Sequence, residues 1–487
     1  MPVTPKLGPE AAAANMADIA PPYTPAEAII EASRCLFCFD APCIQACPTG
    51  IDIPSFIKKI VTGNLTGSAR AILSANILGG SCARVCPTEV LCEGACVVLD
   101  REGDPVKIGR LQRYATDHAL ERRLQLLKTP ARKSGKRVAV IGGGPAGLGC
   151  AAELAQLGHK VVVFEKKLKA GGLNTYGIAY YKLKPEDSLA EVAMIQSLGV
   201  EFRCGVEVGR DIPAAQIQKE FDAVFLGLGL GKGARLNVPG EDLPEVVEAL
   251  DFIEQIHTRP LHQVPVGDRV AVIGGGNTAI DAVTQAKRLG ARDAAIVYRR
   301  SQEDMPAYQF EQTLARTDGA RFLFNVVPVE ILSNGTGHVT GLKLARTASA
   351  DGKVQILPGS EFVEAFDMVI MAIGEAKQVG LFKELFPKLE LEKRGVVVRN
   401  TDTGQTNVPG VFAGGDCANG GREVVNAVAE GKKAARGIHA LFAGQAASGP
   451  IQPSRYGVKG APVGSGFDRP IRVTELEREY AKEHKVP

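Results

Sequence analysis

The chain of 487 residues lacks several features, and each absence narrows what it can be. No apolar run reaches the ~18 or more residues that a membrane-crossing helix needs. An excess of one charge is missing too. With 57 Lys and Arg against 54 Asp and Glu, the net charge is +3, so neither nucleic acid nor an anionic membrane surface is indicated as a partner. The first residues, MPVTPKLGPEAAAANMADIAPPYTP, have no basic stretch leading into an apolar one, which argues against a secretory signal. They read as a Pro/Ala-rich arm, and a cytoplasmic location is expected. What remains is the composition of a soluble globular protein, 45% apolar and 23% charged, at a length that implies two to four domains.

The cysteines that are present carry more information. Of eleven, eight fall between Cys35 and Cys96, while Cys150, Cys204 and Cys417 are scattered. In a cytoplasmic chain, thiols are kept reduced, so such density points to metal or cluster ligation rather than disulfides. Two groups can be written out: Cys35-x2-Cys38-x4-Cys43-x3-Cys47-Pro48, then Cys82-x3-Cys86-Pro87 with Cys92-x3-Cys96. Structural zinc usually takes two separated Cys-x2–4-Cys pairs. The first group is instead similar to the bacterial ferredoxin run C-x2-C-x2-C-x3-C-P, in which the fourth cysteine serves another cluster. It departs from that run by a gap of four where ferredoxin has two. Eight thiols and two Cys-Pro junctions favour two [4Fe–4S] clusters, with zinc as the alternative. Spacing alone assigns the first four cysteines to one site and the last four to another.

From Tyr23 to about Gln125 apolar residues recur at three- and four-residue spacings, a helical pattern with no alternating strand. After a basic connector, KTPARKSGK (128–136), the pattern changes. RVAVIGGGPAGLGCAAELAQLGHKVVVFEK (137–166) reads as strand, glycine turn, helix and strand, and residues 269–300 repeat the plan. Two such units mean two nucleotide-binding domains. In the first, Gly142, Gly144 and Gly147, with Gly143, Pro145 and Ala146 between them, fit G-x-G-x-x-G, and Glu165 closes the second strand where a carboxylate reaches a ribose hydroxyl. In the second, Gly274, Gly275, Gly276, Asn277, Thr278 and Ala279 give the G-x-G-x-x-A variant. Its second strand ends in Tyr298-Arg299-Arg300. A guanidinium pair there suits a ribose 2′-phosphate; the plainer reading is a pair of solvated strand-end arginines. An acid in one site and none in the other suggests FAD first and a nicotinamide coenzyme second. A third glycine segment, with Gly415-Asp416 and a helix beginning near Val424, is placed to meet the flavin, although GGD by itself is a common turn. From about Gly449 the chain reads as a polar, basic tail.

In sequence order, CLFCFDAPCIQACPTGIDIPSFI, SCARVCPTEVLCEGAC, GGGPAGLGCAAELAQLGHKVVVFEK and GGLNTYGIAYYKL resemble one family. It comprises the amino-terminal half of dihydropyrimidine dehydrogenase, its separate bacterial electron-input subunit and the glutamate synthase small subunit. The likeness covers roughly residues 25–445, and the DAPC and GGLNTYGIAYYKL wording is closer to the dihydropyrimidine dehydrogenase branch. The resemblance implies crossed ligand sets: Cys35, Cys38, Cys43 and Cys96 for one cluster, and Cys47, Cys86, Cys92 and Gln112 for the other, with Cys82 left over. It also implies FAD contacts from Gly172, Leu173, Lys182, Val208, Gly415, Asp416 and Val424. For the nicotinamide it implies contacts from Gly275 to Thr278, Arg299, Arg300 and Ala372-Ile373-Gly374. NADPH-specific relatives carry another arginine just beyond Arg299; here the chain reads SQEDMPAYQ, which leaves NADH and NADPH both open.

The expected fold is a multidomain α plus α/β protein. A helical iron–sulfur domain (1–131) precedes an FAD domain in two parts (132–250 and 386–448), a NAD(P) domain (251–385) is inserted between them, and a tail (449–487) follows. No series of eight βα units is left for an FMN barrel, and no stretch reads as a pyrimidine or glutamine site. The expected role is therefore electron input. NAD(P)H is oxidised, and electrons pass through FAD and two [4Fe–4S] clusters to an FMN-containing dihydropyrimidine dehydrogenase catalytic subunit that reduces uracil and thymine. A glutamate synthase small subunit, a ferredoxin:NADP-type reductase and a zinc-bearing scaffold are the alternatives. No catalytic acid or base is singled out.

Overall fold

The computed structural model describes residues 3–350 and 353–444; the expected tail lies outside them. The chain forms two compact units. The first is built from residues 20–172, 186–230 and the described residues from Lys377; the second comprises residues up to Ile19, 173–185 and 231–376.

The first unit opens with short helices whose starts are written in the sequence. Thr24 and Glu27 form a reciprocal capping box ahead of Pro25–Ala32, satisfying amides that a helix start leaves orphaned. Asp52 and Asn64 cap the helices Ile53–Val61 and Leu65–Ala75 in the simpler way, each accepting a backbone N–H three residues on. Ile53, Phe56, Ile57 and Ile60 follow the i, i+3, i+4, i+7 rule and are buried with Ala28, Ile44, Ile72 and Leu111 in one apolar core. Beyond the connector stands a five-stranded parallel sheet in the order Val411–Ala413, Ala223–Leu226, Arg137–Ile141, Lys160–Glu165, Glu201–Cys204. Its strands are nearly continuous Val, Ile, Phe and Ala because both faces are covered. The helices Pro145–Gln156 and Val424–Ala443 pack so closely that a Cβ on Gly431 would stand 2.1 Å from the Ala146 carbonyl oxygen.

Helical region and sheet are not separate bodies within this unit. Ile77 and Leu78, just ahead of the helix Gly79–Val85, are buried in the same core as Val138, Val140, Leu148 and Val163. Arg84 on that helix pairs with Asp117 at 2.8 Å and Asp187 at 3.2 Å.

The second unit repeats the parallel sheet, in the order Val246–Glu248, Met368–Met371, Arg269–Ile273, Asp293–Tyr298, Arg321–Phe324. Between its last two sequence strands lies an antiparallel sheet of Val326–Ser333, Val339–Ala350, Lys353–Ile356 and Phe362–Glu364. The amino-terminal arm contributes a helix, Pro9–Asn15, with proline at its first position and a run of alanines. Met16 beyond it is buried in this unit's core.

Truncating Leu78, which is 1% exposed, leaves a cavity in the core that helical region and sheet share. Leu78→Ala is expected to cost about 2–5 kcal/mol, read as a lower urea midpoint at unchanged m-value.

Candidate functional site

The first fingerprint is built by steric exclusion. Strand Arg137–Ile141 ends at Gly142, whose φ of +102° suits glycine. A Cβ there would lie 2.3 Å from the Gly227 carbonyl oxygen, and one on Gly147 2.0 Å from the Gly142 oxygen. Gly144 begins the helix Pro145–Gln156 with no side-chain cap, so its amino-terminal N–H groups are left for an anion such as a pyrophosphate. Glu165 is buried, with one carboxylate oxygen accepting the Gly143 N–H at 2.8 Å and the other the Lys167 N–H at 2.7 Å. The Gly171 N–H donates to the Gly143 oxygen at 2.8 Å, laying the Gly171-Gly172 turn on the fingerprint loop. The third glycine segment closes onto the same place: a Cβ on Gly415 would be 2.8 Å from that of Ala146. Glu430 holds it there, accepting the Gly415 N–H at 2.7 Å and pairing with Arg399 at 2.7 Å. Asp416 accepts the Arg422 N–H at 3.2 Å. Val424 starts a 20-residue helix whose N-cap, Glu423, makes no side-chain cap. These elements leave a bare, amide-rich cradle of the kind a dinucleotide needs.

In the second unit a cleft of about 790 Å³ is lined by Gly274, Gly275, Gly276, Thr278, Tyr298, Arg299, Arg300, Ala372, Ile373 and Gly374. Gly274 has φ +143°, and a Cβ there would stand 2.1 Å from the Ala372 oxygen. Tyr298 lies over Gly275 and donates to the Asp304 carbonyl at 2.8 Å. Asn277 accepts the Tyr308 N–H at 3.0 Å, pinning the segment that follows Arg299 and Arg300.

All eleven cysteines are free thiols. Cys35, Cys38, Cys43, Cys47, Cys92 and Cys96 pack against the apolar core of the helical region. Burial raises the Cys35 thiol to about 11, with Cys38 and Cys96 adding to the rise. Burial, then Cys35, Cys96 and Cys38, push Cys43 well up. A hydrogen bond with Cys82, burial, and the neighbours Cys92 and Cys47 do the same for Cys86. Burial, Glu93 and Cys47 raise Cys92. Cys35, Cys38, Cys43 and Cys96 thus act on one another, as do Cys47, Cys82, Cys86 and Cys92, and Cys43 also acts on Cys92, so the thiols form one continuous neighbourhood. Among the described residues no three His, Cys, Asp or Glu side chains converge as a single metal ion requires. The donor chemistry suits iron–sulfur clusters, which take thiolates. Gln112 is 6% exposed, and its Nε2 donates to the Gly79 carbonyl at 2.7 Å.

Three other expected flavin contacts have the following surroundings. Val208 is buried in the apolar core beside Phe164 and Leu226. Leu173 and Lys182 belong to the second unit. There the Lys182 ammonium lies 2.6 Å from Asp281 and 2.6 Å from Glu311. Burial opposes that charge, and Asp281, Tyr181 and Glu311 overcome it, holding the amine above its ordinary range.

Sequence reading missed three buried polar residues. Glu93 accepts the Gly109 N–H at 2.9 Å, tying the Cys92–Cys96 loop to the helix that carries Gln112. Glu191 and Lys432 hold the segment around Gly79. Only Lys432 left a signal, as a cation on the stripe Val428, Gly431, Ala435, Ile438 of an apolar helix face.

Comparison with known proteins follows these features. Residues 12–124 match the family described as dihydropyrimidine dehydrogenase domain II, 4Fe-4S cluster, and residues 136–431 match pyridine nucleotide-disulphide oxidoreductases. The glutamate synthase [NADPH] small chain of Halomonas elongata is 38% identical over 88% of this chain and 93% of its own. The NAD-dependent dihydropyrimidine dehydrogenase subunit PreT of Escherichia coli K12 is 35% identical over 88% of this chain and 97% of its own. Among solved structures, Mycobacterium tuberculosis FprA in complex with NADPH shares the fold with a TM-score of 0.52 at 20% identity, covering 66% of this chain and 88% of that one.

Two substitutions test the sites. Removing a guanidinium that contacts a phosphate costs about 1.5–3 kcal/mol. Arg299→Ala is therefore expected to raise the KM for NADPH roughly 10- to 100-fold and leave that for NADH nearly unchanged; equal changes would mean that Arg299 does not read the 2′-phosphate. Gln112→Ala is expected to abolish or shift one of two electron paramagnetic resonance (EPR) signals in the dithionite-reduced protein, and an unchanged spectrum would remove Gln112 from the ligands.

Proposed function

The chain belongs to the family of NAD(P)H-dependent flavin and iron–sulfur oxidoreductases that includes glutamate synthase small chains and PreT subunits, and we propose that it is the electron-input subunit of a hetero-oligomeric reductase. Its cofactors are FAD, [4Fe–4S] clusters and NAD(P)H. A flavin held in the cradle would supply hydride acceptance from a reduced nicotinamide and release of electrons one at a time. The observation that carries the reading is that the flavin cradle and both sets of thiols belong to one compact unit. Electrons entering at the flavin would thus have their acceptors in the same compact unit.

The residues have separate tasks. The uncapped helix start at Gly144 and Pro145 binds the pyrophosphate, and Glu165 orients the ribose. Asp416 and the helix start at Val424 bound the flavin's other end, while Arg299 and Arg300 hold the far end of the nicotinamide coenzyme. Ile44, Ile53 and Ile57 keep water from the thiols. In this reading two clusters form, one on Cys35, Cys38, Cys43 and Cys96 and the other on Cys47, Cys86, Cys92 and Gln112, and the nicotinamide domain is inserted in the flavin domain.

The partner is proposed to be an FMN-containing subunit that reduces uracil and thymine, on the strength of the DAPC and GGLNTYGIAYYKL segments. A glutamate synthase partner is the second reading, favoured by identities of 38% and 37% to glutamate synthase small chains against 35% to PreT. Among the described residues no helix is long and apolar enough to cross a membrane.

Affinity purification from the native cell, followed by assay with each reduced nicotinamide, separates these readings. The isolated subunit is expected to reduce an artificial acceptor with NADH or NADPH but to leave uracil untouched, and the purified complex to consume uracil. A complex that instead forms glutamate from glutamine would replace the pyrimidine partner with the glutamate synthase one.

A further inference from the structure

Residues 74–81 run from the end of one helix into the start of another, and the flavin-binding part of the unit grips them at both ends. At the near end the helix Leu65–Ala75 leaves its last carbonyls without partners in the helix. The Lys432 ammonium binds two of them, at 3.3 Å from the Ser74 oxygen and 2.5 Å from the Ala75 oxygen. Between the grips, Asn76 accepts the Leu78 N–H at 3.0 Å, and Ile77 and Leu78 are sunk in the core of the sheet. At the far end Glu191 accepts the N–H groups of Gly80 and Ser81 at 2.7 and 3.1 Å and the Ser81 hydroxyl at 2.5 Å. The held segment supplies the Gly79 carbonyl that receives Gln112 and starts the helix that ends at Cys86.

Lys432 is 5% exposed. Its one nearby carboxylate is Glu153 at 3.8 Å, which Arg436 shares at 2.9 Å. Two cations thus face one anion; the Arg436 side chain is 40% exposed, whereas Lys432 is buried. Ala75, whose carbonyl takes the Lys432 ammonium, packs against the same apolar core as Cys47, and Lys432 is within electrostatic reach of that thiol.

We infer that Lys432 is a positioning residue that raises the reduction potential of the cluster taking Cys47, Cys86, Cys92 and Gln112, and so biases electrons leaving the flavin toward that cluster. The inference rests on the two-cluster reading above. A cation favours the reduced form because reduction makes the cluster more negative. A plain helix cap would stabilise the fold and leave the potential alone. One unit charge about 10 Å away at an effective dielectric of about 20 shifts a one-electron equilibrium by roughly tenfold, which is about 59 mV for a one-electron couple.

The test is an EPR-monitored redox titration of the full-length holoprotein carrying Lys432→Met, with Lys432→Arg as the charge-retaining control. Iron per flavin and thermal midpoint are measured alongside. The expected result is a fall of roughly tenfold in the reduction equilibrium of one cluster, with the other unmoved and Lys432→Arg close to the parent. Selective loss of that one cluster in Lys432→Met, with Lys432→Arg intact and at the parent potential, would make Lys432 a structural cap and overturn the electrostatic role. Unchanged potentials, equal shifts in both clusters, or an arginine variant that shifts as far as the methionine one would overturn it. A parent protein without two distinguishable clusters would overturn the two-cluster reading instead, and iron per flavin reports that separately.

Discussion

Half-buried thiols crowded against an apolar core are the constraint around which the first unit is arranged. Burial and mutual repulsion push Cys35, Cys43, Cys86 and Cys92 upward, so the bare protein favours neutral thiols. Cluster ligation needs thiolates, and only the positive charge of iron can offset the cost of gathering several of them away from water. Folding and ligation are therefore linked. The helices of this region are short, the helix that contains Cys43 being only five residues long, and short helices are marginal by themselves. In the proposed ligand sets each cluster joins segments far apart in sequence, replacing long-range order that such helices cannot supply alone. One would tie Cys35, Cys38 and Cys43 to Cys96. The other would tie Cys47 to Cys86, Cys92 and Gln112, the last on the helix Ile108–Glu121.

The nucleotide sites rest on a different principle, the removal of side chains. In both parallel sheets a glycine with positive φ ends the central strand, and a neighbouring carbonyl, that of Gly227 or Ala372, occupies the space a Cβ would need. The same backbone geometry thus serves two coenzymes, and what distinguishes the sites is the end of the next strand. Glu165 closes one and Tyr298-Arg299-Arg300 the other. A carboxylate repels a phosphate and accepts from hydroxyls, whereas guanidinium groups attract a phosphate. Two copies of one fold can in this way carry different dinucleotides.

The parts legible in the sequence were those enforced by local rules. Glycine spacing, strand-end charges and the density of cysteines depend on short stretches of chain, and they located both cradles and the thiol-rich region. Distant pairings were not legible. The Lys182 ammonium lies between Asp281 and Glu311, far along the chain, a pairing to which no periodicity points. Glu191 sits on the helix Pro185–Ser197 among other acidic and polar residues and gave no signal of its bonds to Gly80 and Ser81. The amino-terminal segment reads only as a Pro/Ala-rich arm; its alanines make a helix, and Met16 finds an apolar core.

Lys432 and Glu191 show why the flavin sheet and the thiol-bearing helices belong to one unit. A buried charge is tolerated only where hydrogen bonds and counter-charge replace water. Lys432 finds these in the carbonyls of Ser74 and Ala75, and Glu191 in the amides of Gly80 and Ser81. Each buried group is supplied by the sheet-bearing part and satisfied by the backbone of the helical part, although burial raises the Glu191 carboxyl to about 7. Neither part could be withdrawn without leaving a buried polar group unpaired, so loosening the contact costs more than the apolar area of Ile77 and Leu78 alone. A carrier of single electrons benefits from such an arrangement because transfer depends on fixed separation. The polar clamp holds the segment that presents Gly79 and Cys86 in register with the sheet that binds the flavin.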